Sequence, residues 1–271
     1  NIVKKRIELR RIITALLFLT YLFLAVLWGG LLLKEVFFRP GELVIHVIDV
    51  GQGDSIFICA PQGETLLIDG GDYSQGQKVY SYLKEMSIDA LDYVVATHPH
   101  ADHVGGLPII FESFKVGRVF DSGRLHATSA MEKYLLAIEK YNIPFQTLSS
   151  GDIFFLGPDI KVTVLAPWDS LLAEEVNAAS MILHLEYKGL QALFTGDAPG
   201  WIEEEVLKDL GGQKINILKV SHHGSNSASY GDFISALRPE VAVISVGAGN
   251  SYGHPHPDTL AILNLYTQRV L

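Results

Sequence analysis

The chain has a single cysteine, Cys59, among its 271 residues. No internal disulfide is possible, and without paired cysteines the redox compartment is left open. Cys59 stands in an apolar, strand-like run and reads as a core residue. Positive charge is scarce over most of the chain. Residues 1–40 hold seven Lys/Arg and two Glu, which leaves 14 basic against 28 acidic groups, a net of −14, for residues 41–271. Proteins that grip long nucleic acids carry a basic footprint. The balance argues against tight, extended DNA binding and leaves room only for a local basic groove. No low-complexity tract and no obvious internal repeat is present.

Charge of either sign is missing from Ile12 to Leu33. As a helix at about 1.5 Å per residue, this run would extend about 33 Å, enough to cross a bilayer. The apolar region of a signal peptide is shorter, about 7–15 residues, and ends at a small-residue site. This run instead meets Lys34-Glu35-Val36-Phe37-Phe38. The expectation is an uncleaved, single-pass anchor in the cell membrane. Lys4, Lys5, Arg6, Arg10 and Arg11 precede the run, whereas only Lys34 and Arg39 closely follow it. The positive-inside bias then places the amino end in the cytoplasm and the large domain outside it. Residues 1–40 are read as the basic terminus and anchor, and residues 41–271 as the working domain. The chain begins with Asn and stops within an apparent element at Arg269-Val270-Leu271, so it reads as a piece of a longer protein.

Short apolar runs alternate with helical patterns along residues 41–271. Strands are expected at Leu43–Asp49, Ser55–Cys59, Thr65–Ile68, Leu91–Ala96, Val116–Phe120, Pro144–Leu148, Ile153–Leu156 and Ile160–Leu165. Further strands are expected at Met181–Tyr187, Leu190–Phe194, Ile215–Val220 and Val241–Val246. Helices are expected at Gln77–Met86, Leu107–Phe114, Ser129–Tyr141, Ile202–Leu210 and Thr259–Tyr266.

Seven of the ten histidines fall in three loops, each after an expected strand. In Thr97-His98-Pro99-His100-Ala101-Asp102-His103, an extended stretch points His98 and His100 the same way. A bend toward a helix at Val104-Gly105-Gly106 brings Asp102 and His103 to a neighbouring point. One run thus offers two ligands to each of two adjacent cations. Imidazole and carboxylate suit zinc, manganese or iron. His222 and His223 follow the Ile215–Val220 strand. Adjacent residues diverge on an extended chain, so one of the pair is expected on the second ion and the other facing substrate as a hydrogen-bond or proton donor. His254 and His256 alternate with Pro255 and Pro257 in a stiff loop suited to a positioned donor, with His254 favoured. Asp49 and Asp69 each end an apolar strand and are candidates to orient the metal loop from behind. Asp69 equally suits a turn-stabilising role. His46 and His184 lie within strands and read as structural.

The spacing HxHxDH resembles the signature of the metallo-β-lactamase superfamily. Asp49-Val50-Gly51-Gln52-Gly53-Asp54-Ser55, Leu67-Ile68-Asp69-Gly70-Gly71, Thr195-Gly196-Asp197-Ala198, Ser221-His222-His223-Gly224-Ser225 and Tyr252-Gly253-His254-Pro255-His256-Pro257 extend the resemblance over roughly residues 43–271. Together they look like the hydrolase domain of ComEC-type DNA-uptake proteins. The resemblance implies an α/β chain, a four-layer αββα sandwich (the metallo-β-lactamase fold), here preceded by one transmembrane helix. It implies two divalent metal ions, Zn or Mn, bridged by Asp197. His98 and His100 would hold one ion. Asp102, His103 and one of His222 and His223 would hold the other. Asp102, His223 and His254 are the candidate catalytic groups, and Asn177, His254 and His256 the candidate substrate contacts.

One departure stands out. Many superfamily members place a third histidine on the first metal, ahead of the bridging aspartate. Here that position holds Asn177, so the first ion would be open, weakly held, or completed by water or His254. Oxygen-rich coordination favours manganese and leaves zinc possible.

The expected function is a membrane-anchored, dinuclear hydrolase of phosphodiesters, a nuclease by the ComEC-type resemblance, with DNA and a DNA-uptake assembly as possible partners. A small cell-envelope ester such as a phosphocholine headgroup is the alternative substrate. A non-catalytic binding module on the same fold is the alternative from another class.

Overall fold

The computed structural model describes residue 14 and residues 16–26, 41–168 and 175–271. The chain divides into two units, Asn1–Glu42 and Leu43–Leu271.

In the first unit residues 16–26 are helical. Eleven residues at about 1.5 Å each span about half of a bilayer's hydrocarbon core. The rest of the expected Ile12–Leu33 span, apart from Thr14, lies outside the described residues, as do the flanking Lys and Arg. Among the described residues no helix is long and apolar enough to cross a membrane. This overturns the expected transmembrane anchor, and with it the single-pass membrane location and extracytoplasmic placement inferred from it.

The second unit is a mixed α/β sandwich of two sheets. The first has six strands in the order β1-β2-β3-β4-β5-β6. These are Val44–Val47, Ile56–Cys59, Thr65–Ile68, Ala90–Ala96, Lys115–Asp121 and Phe145–Thr147. β1 to β3 pair antiparallel, and β3 to β6 pair parallel. The second sheet has seven, in the order β13-β12-β11-β10-β9-β8-β7. In chain order β7 to β13 are Ile153–Leu156, Ile160–Ala166, Ile182–Tyr187, Leu190–Phe194, Ile217–Lys219, Val241–Val243 and Arg269–Val270. β7 to β10 pair antiparallel, and β10 to β13 pair parallel.

Side-chain alternation explains the core. Ile56 and Ile58 of β2, Leu66 and Ile68 of β3, Val95 of β4 and Phe120 of β5 meet Leu156, Val162, Leu183, Leu185 and Phe194 of the other sheet. Their neighbours Phe57, Leu67, Val94 and Val119 point the opposite way and are also fully buried. Strands buried on both faces read as continuous apolar runs rather than alternating ones. Each fully buried Leu, Ile or Phe contributes about 1.5–3 kcal/mol. Helix Gly76–Glu85 buries Val79 and Leu83, four residues apart on one stripe. Helix Leu107–Ser113 buries Leu107, Ile110 and Phe111. Helix Ser129–Lys140, capped by the Thr128 side chain, buries Met131 and Tyr134. Helices Gly200–Leu210, Gly231–Leu237 and Pro257–Tyr266 pack Ile202, Val206, Phe233, Ile234 and Leu263 against Leu193, Leu218 and Ala242 of the second sheet.

β12 stops three residues short of expectation, because Ser245 leaves the ladder to donate its hydroxyl to Gly53 O at 2.6 Å. This bond ties the two sheets together at one edge. The carboxyl ends of β3, β4, β10, β11 and β12 carry Asp69, Thr97 to His103, Asp197, Ser221 to Gly224, and Ser245.

Candidate metal centre

The loop after β4 follows the expected path. His100 is extended (φ −70°, ψ 149°) and caps the helical turn Ala101–Val104, which turns Asp102 and His103 back. Gly53 packs against this turn. A Cβ there would collide with the Asp102 carbonyl, and its φ of 119° also disfavours a side chain. His98 and His103 are almost fully buried. His98 Nε2 lies 3.0 Å from His100 Nδ1 and 3.8 Å from Asp197 Oδ2. His103 Nε2 lies 3.3 Å from Asp197 Oδ1. His223 Nε2 lies 3.4 Å from both Asp102 Oδ2 and Asp197 Oδ2. Three groups have donor atoms within 4.8 Å of one another: His98, His100 and Asp197; Asp102, His103, Asp197 and His223; and Asp54, Asp69 and His103. The first two are the candidate ligand groups, and they meet at Asp197.

These side chains are held from behind. Asp69 ends β3 at φ 59°, a left-handed conformation that a non-glycine residue adopts at a cost. Its carboxylate accepts from Thr97 N and Thr97 Oγ1, both at 2.8 Å, and sits 2.8 Å from His103 Nδ1. Orientation and the turn role therefore coexist in Asp69. His223 Nδ1 faces Ser245 O at 2.9 Å. With each Nδ1 committed to an oxygen, the Nε2 atoms of His103 and His223 are left to face Asp197. His222 and His223 have φ of 47° and 54°, two successive left-handed residues. Strain of this kind costs about 1–3 kcal/mol per residue and persists only where surroundings impose it. Here His222 N donates to Gly196 O at 3.0 Å, and Ser221 Oγ donates to the buried Glu203 carboxylate at 2.5 Å.

The charges are unevenly distributed. Burial pushes the His98 imidazole well below its ordinary range and lowers His100 and His222. Burial also opposes charge on His103, but the Asp197 and Asp69 carboxylates outweigh it and hold His103 well above its usual value. His223 is raised to about 9, with Asp197 and Asp102 overcoming burial. Burial would raise Asp197, yet His103 and His223 hold it well below the usual carboxylate range. A cation in this place would compete with protons for the same imidazole nitrogens.

The donor set fits a metal. His103 Nε2, Asp197 Oδ1 and His223 Nε2 are buried, and the rings face Asp197 at 3.3–3.4 Å without the geometry of a directed hydrogen bond. Buried polar atoms without a directed partner are costly, and these three converge on one place. A cleft of about 360 Å³ opens onto them, lined by His100, Asp102, Asp197, His222, His223 and His254 among others.

Other candidate residues are placed differently. His222 stands at the rim, with Nε2 3.8 Å from Asp197 Oδ2. His254 lines the cleft, its ring 5.6 Å from that of His222. His256 is outside the cleft lining; its Nδ1 accepts from Asp258 N at 3.3 Å and caps the Pro257–Tyr266 helix. Asp49 is largely exposed, accepting from Gly51 N and pairing with Lys78 at 3.0 Å. It belongs to a surface turn and not to the ligand groups. Asn177 lies in the turn Val176–Ala179, outside both ligand groups and the cleft lining, with a buried, unpartnered Oδ1. His46 contacts Tyr82 and Phe57, and His184 pairs within the second sheet.

Asp54 and Lys219 were not anticipated as part of the site. They form a buried ion pair at 2.6 Å, each almost without exposure, and Asp54 Oδ1 lies 3.6 Å from His223 Nδ1. A lysine inside the apolar run Ile217-Leu218-Lys219-Val220 was the available signal, since a charge there needs a buried partner. His126 and Thr128 also line the cleft, and a lone histidine between Leu125 and Ala127 announces nothing.

This architecture, with a ligand cluster at one edge of two sheets, defines a class. The profile of the metallo-beta-lactamase superfamily matches residues 48–248, and the chain belongs to that superfamily. Within it the chain is homologous to the ComEC-type competence proteins. It is 32% identical over 244 residues to ComE operon protein 3 of Bacillus subtilis (strain 168), covering 84% of this chain and 31% of that protein. It is 31% identical over 236 residues to Competence protein ComA of Neisseria gonorrhoeae, again covering 84% and 31%. The chain thus spans about a third of the length of these curated relatives. Among solved structures, the metallo-beta-lactamase fold protein YhfI from Bacillus subtilis aligns with a TM-score of 0.58 at 11% identity, covering 84% of this chain and 95% of that one. That likeness concerns the fold alone.

Proposed function

We propose that the chain is a dinuclear, metal-dependent phosphodiesterase, a nuclease of the ComEC-like kind serving DNA uptake, with zinc or manganese as its ions and the αββα layer order of its superfamily. The observation that carries this reading is the sharing of Asp197 between two ligand groups, with buried polar atoms that lack a directed partner aimed at the same place. When bound, a pair of such cations acidifies water and offsets negative charge developing on phosphate oxygens. His98, His100 and Asp197 would hold one ion, and Asp102, His103, Asp197 and His223 the other.

The chain's own groups then have distinct work. Asp69 and the Ser245 carbonyl fix which ring nitrogen of His103 and His223 faces the cleft. Asp102, more exposed than the others, stands where a water proton could be received. His254, lowered mainly by burial, lies on the open side of the cleft and can hydrogen-bond a phosphate oxygen or the leaving group.

The test is direct. The metal-free full chain is reconstituted with Mn²⁺ or Zn²⁺, its metal content is measured, and labelled single-stranded DNA is added. Metal-dependent cleavage is expected. No cleavage by protein that demonstrably carries both ions would eliminate the nuclease reading.

The acidic balance of residues 41–271 favours a second reading, a small phosphoester such as a phosphocholine headgroup. Steep loss of rate with salt would mark DNA, and a flat response the small ester.

A further inference from the structure

The loop beyond β12 presents an aromatic ring at the mouth of the cleft. Tyr252 is 69% exposed and lines the cleft beside His254. Its ring lies against that of His254, 5.8 Å between centroids and 26° between planes, in a stacked arrangement. The loop is not loose. Asn250 Oδ1 accepts from Tyr252 N at 3.0 Å and from His254 N at 3.1 Å, while Asn250 Nδ2 donates to Gly247 O and His254 O. One asparagine therefore fixes the backbone that carries both rings.

Charge sharpens the point. Among the described residues no Lys or Arg lines the cleft. A phosphate chain entering it would meet histidines, acids and whatever cations these hold, but no basic track. Sequence-independent affinity for a strand has two usual sources, a positive groove and stacking on aromatic rings. Among the described residues the first is missing beside the candidate centre and the second is present. A space of about 360 Å³ is small on the scale of ligand pockets, suited to a nucleotide-sized group. In a duplex the base faces are covered by their neighbours, so a ring that stacks on a base requires an unpaired one.

Resting on the phosphodiesterase reading above, we infer that Tyr252 is a base-stacking platform that selects unpaired nucleic acid, taking the base next to the phosphate held at the His98–Asp197–His223 centre. His254 backs the ring and keeps it from folding away. Recognition then depends on the presence of a base and little on which base it is, because every base has a π-face.

The experiment compares two substrates of equal charge: a single-stranded oligodeoxythymidylate and an abasic deoxyribose-phosphate oligomer of the same length. Both are given to the metal-loaded full chain at fixed salt, and kcat/KM is measured for each. The wild-type protein is expected to prefer the base-bearing strand by roughly tenfold, in keeping with the measured value of one aromatic–base stack. Y252A is expected to lose that preference, and Y252F, which keeps the ring, to retain it. A role in loop structure alone would lower both rates together and leave the ratio unchanged. An unchanged ratio in Y252A, or a wild-type protein indifferent to the bases, overturns the inference while the phosphodiesterase reading stands. A metal-loaded wild-type protein that cleaves neither strand overturns both.

Discussion

Replacing Lys219 by methionine isolates the interaction behind the candidate metal centre. Lys219 and Asp54 are 2.6 Å apart with side-chain exposures of 1% and 2%. Lys219 Nζ also donates to Val220 O at 2.9 Å. Asp54 is fixed by its main chain, donating to Asp102 O and accepting from Gly71 N. It cannot swing to water when its partner is removed. K219M has similar length and no charge, so it leaves the buried Asp54 carboxylate with only the more distant His223 ring, 3.6 Å away, in place of its ion-pair partner. Breaking such a pair costs about 3–5 kcal/mol, whereas replacing both members by apolar groups is often neutral. Against a total stability of about 5–15 kcal/mol, the single change removes a large part. Urea unfolding of the metal-free protein should show K219M destabilised by about 3–5 kcal/mol and K219M/D54L recovering most of the loss. A K219M protein within about 1 kcal/mol of wild type, or a double variant as unstable as both losses added, would refute the assignment of a tight buried pair.

Three further outcomes follow from the same geometry. Glu203 is fully buried and its carboxyl is raised by burial from 4.5 to about 7, against the pull of the Ser221 and Ser229 bonds. Its folded value lies above the unfolded one, so its contribution to stability is complete below about pH 4.5 and is lost as pH rises toward 7. The total is about 3 kcal/mol, and urea midpoints across that range should lose this slope in E203Q. H256A should lower stability by about 1 kcal/mol through the lost helix cap, with turnover near wild type; a loss of turnover as large as that of H254A would return His256 to the substrate contacts. D69N should weaken metal retention by about 10–100-fold, since its carboxylate fixes His103; competition with a chelator measures this, and unchanged retention would leave Asp69 with the turn alone.

The parts of the site that follow local rules were legible before any coordinates. His98, His100, Asp102 and His103 depend on strand alternation followed by one helical turn, and both are encoded within seven residues. Asp69 is expected because it ends an apolar strand, a rule that also points to Asp49 on its surface turn, and Asp197 is expected from the superfamily resemblance. What escaped notice depends on residues distant in the chain. Lys219 meets Asp54 across 165 positions, and Ser245 meets Gly53 across 192; no local pattern announces either. His222 and His223 adopt left-handed backbone in place of the extended path the sequence suggests, and of the two only His223 falls in a candidate ligand group. His256 looked like a site residue because it alternates with His254, but the helix beginning at Pro257 takes it as a cap. The uncharged run at Ile12–Leu33 has the composition of a membrane span, but among the described residues no helix is long and apolar enough to cross a membrane.

Metal stoichiometry tests the central claim most directly. The full chain, stripped and then dialysed against excess Mn²⁺, should retain close to two ions per chain, with magnetic coupling between them visible by electron paramagnetic resonance. D197N should hold at most one ion and show no coupling. A wild-type chain that binds a single ion or none, or a D197N chain that still holds a coupled pair, would contradict a centre built around a shared Asp197.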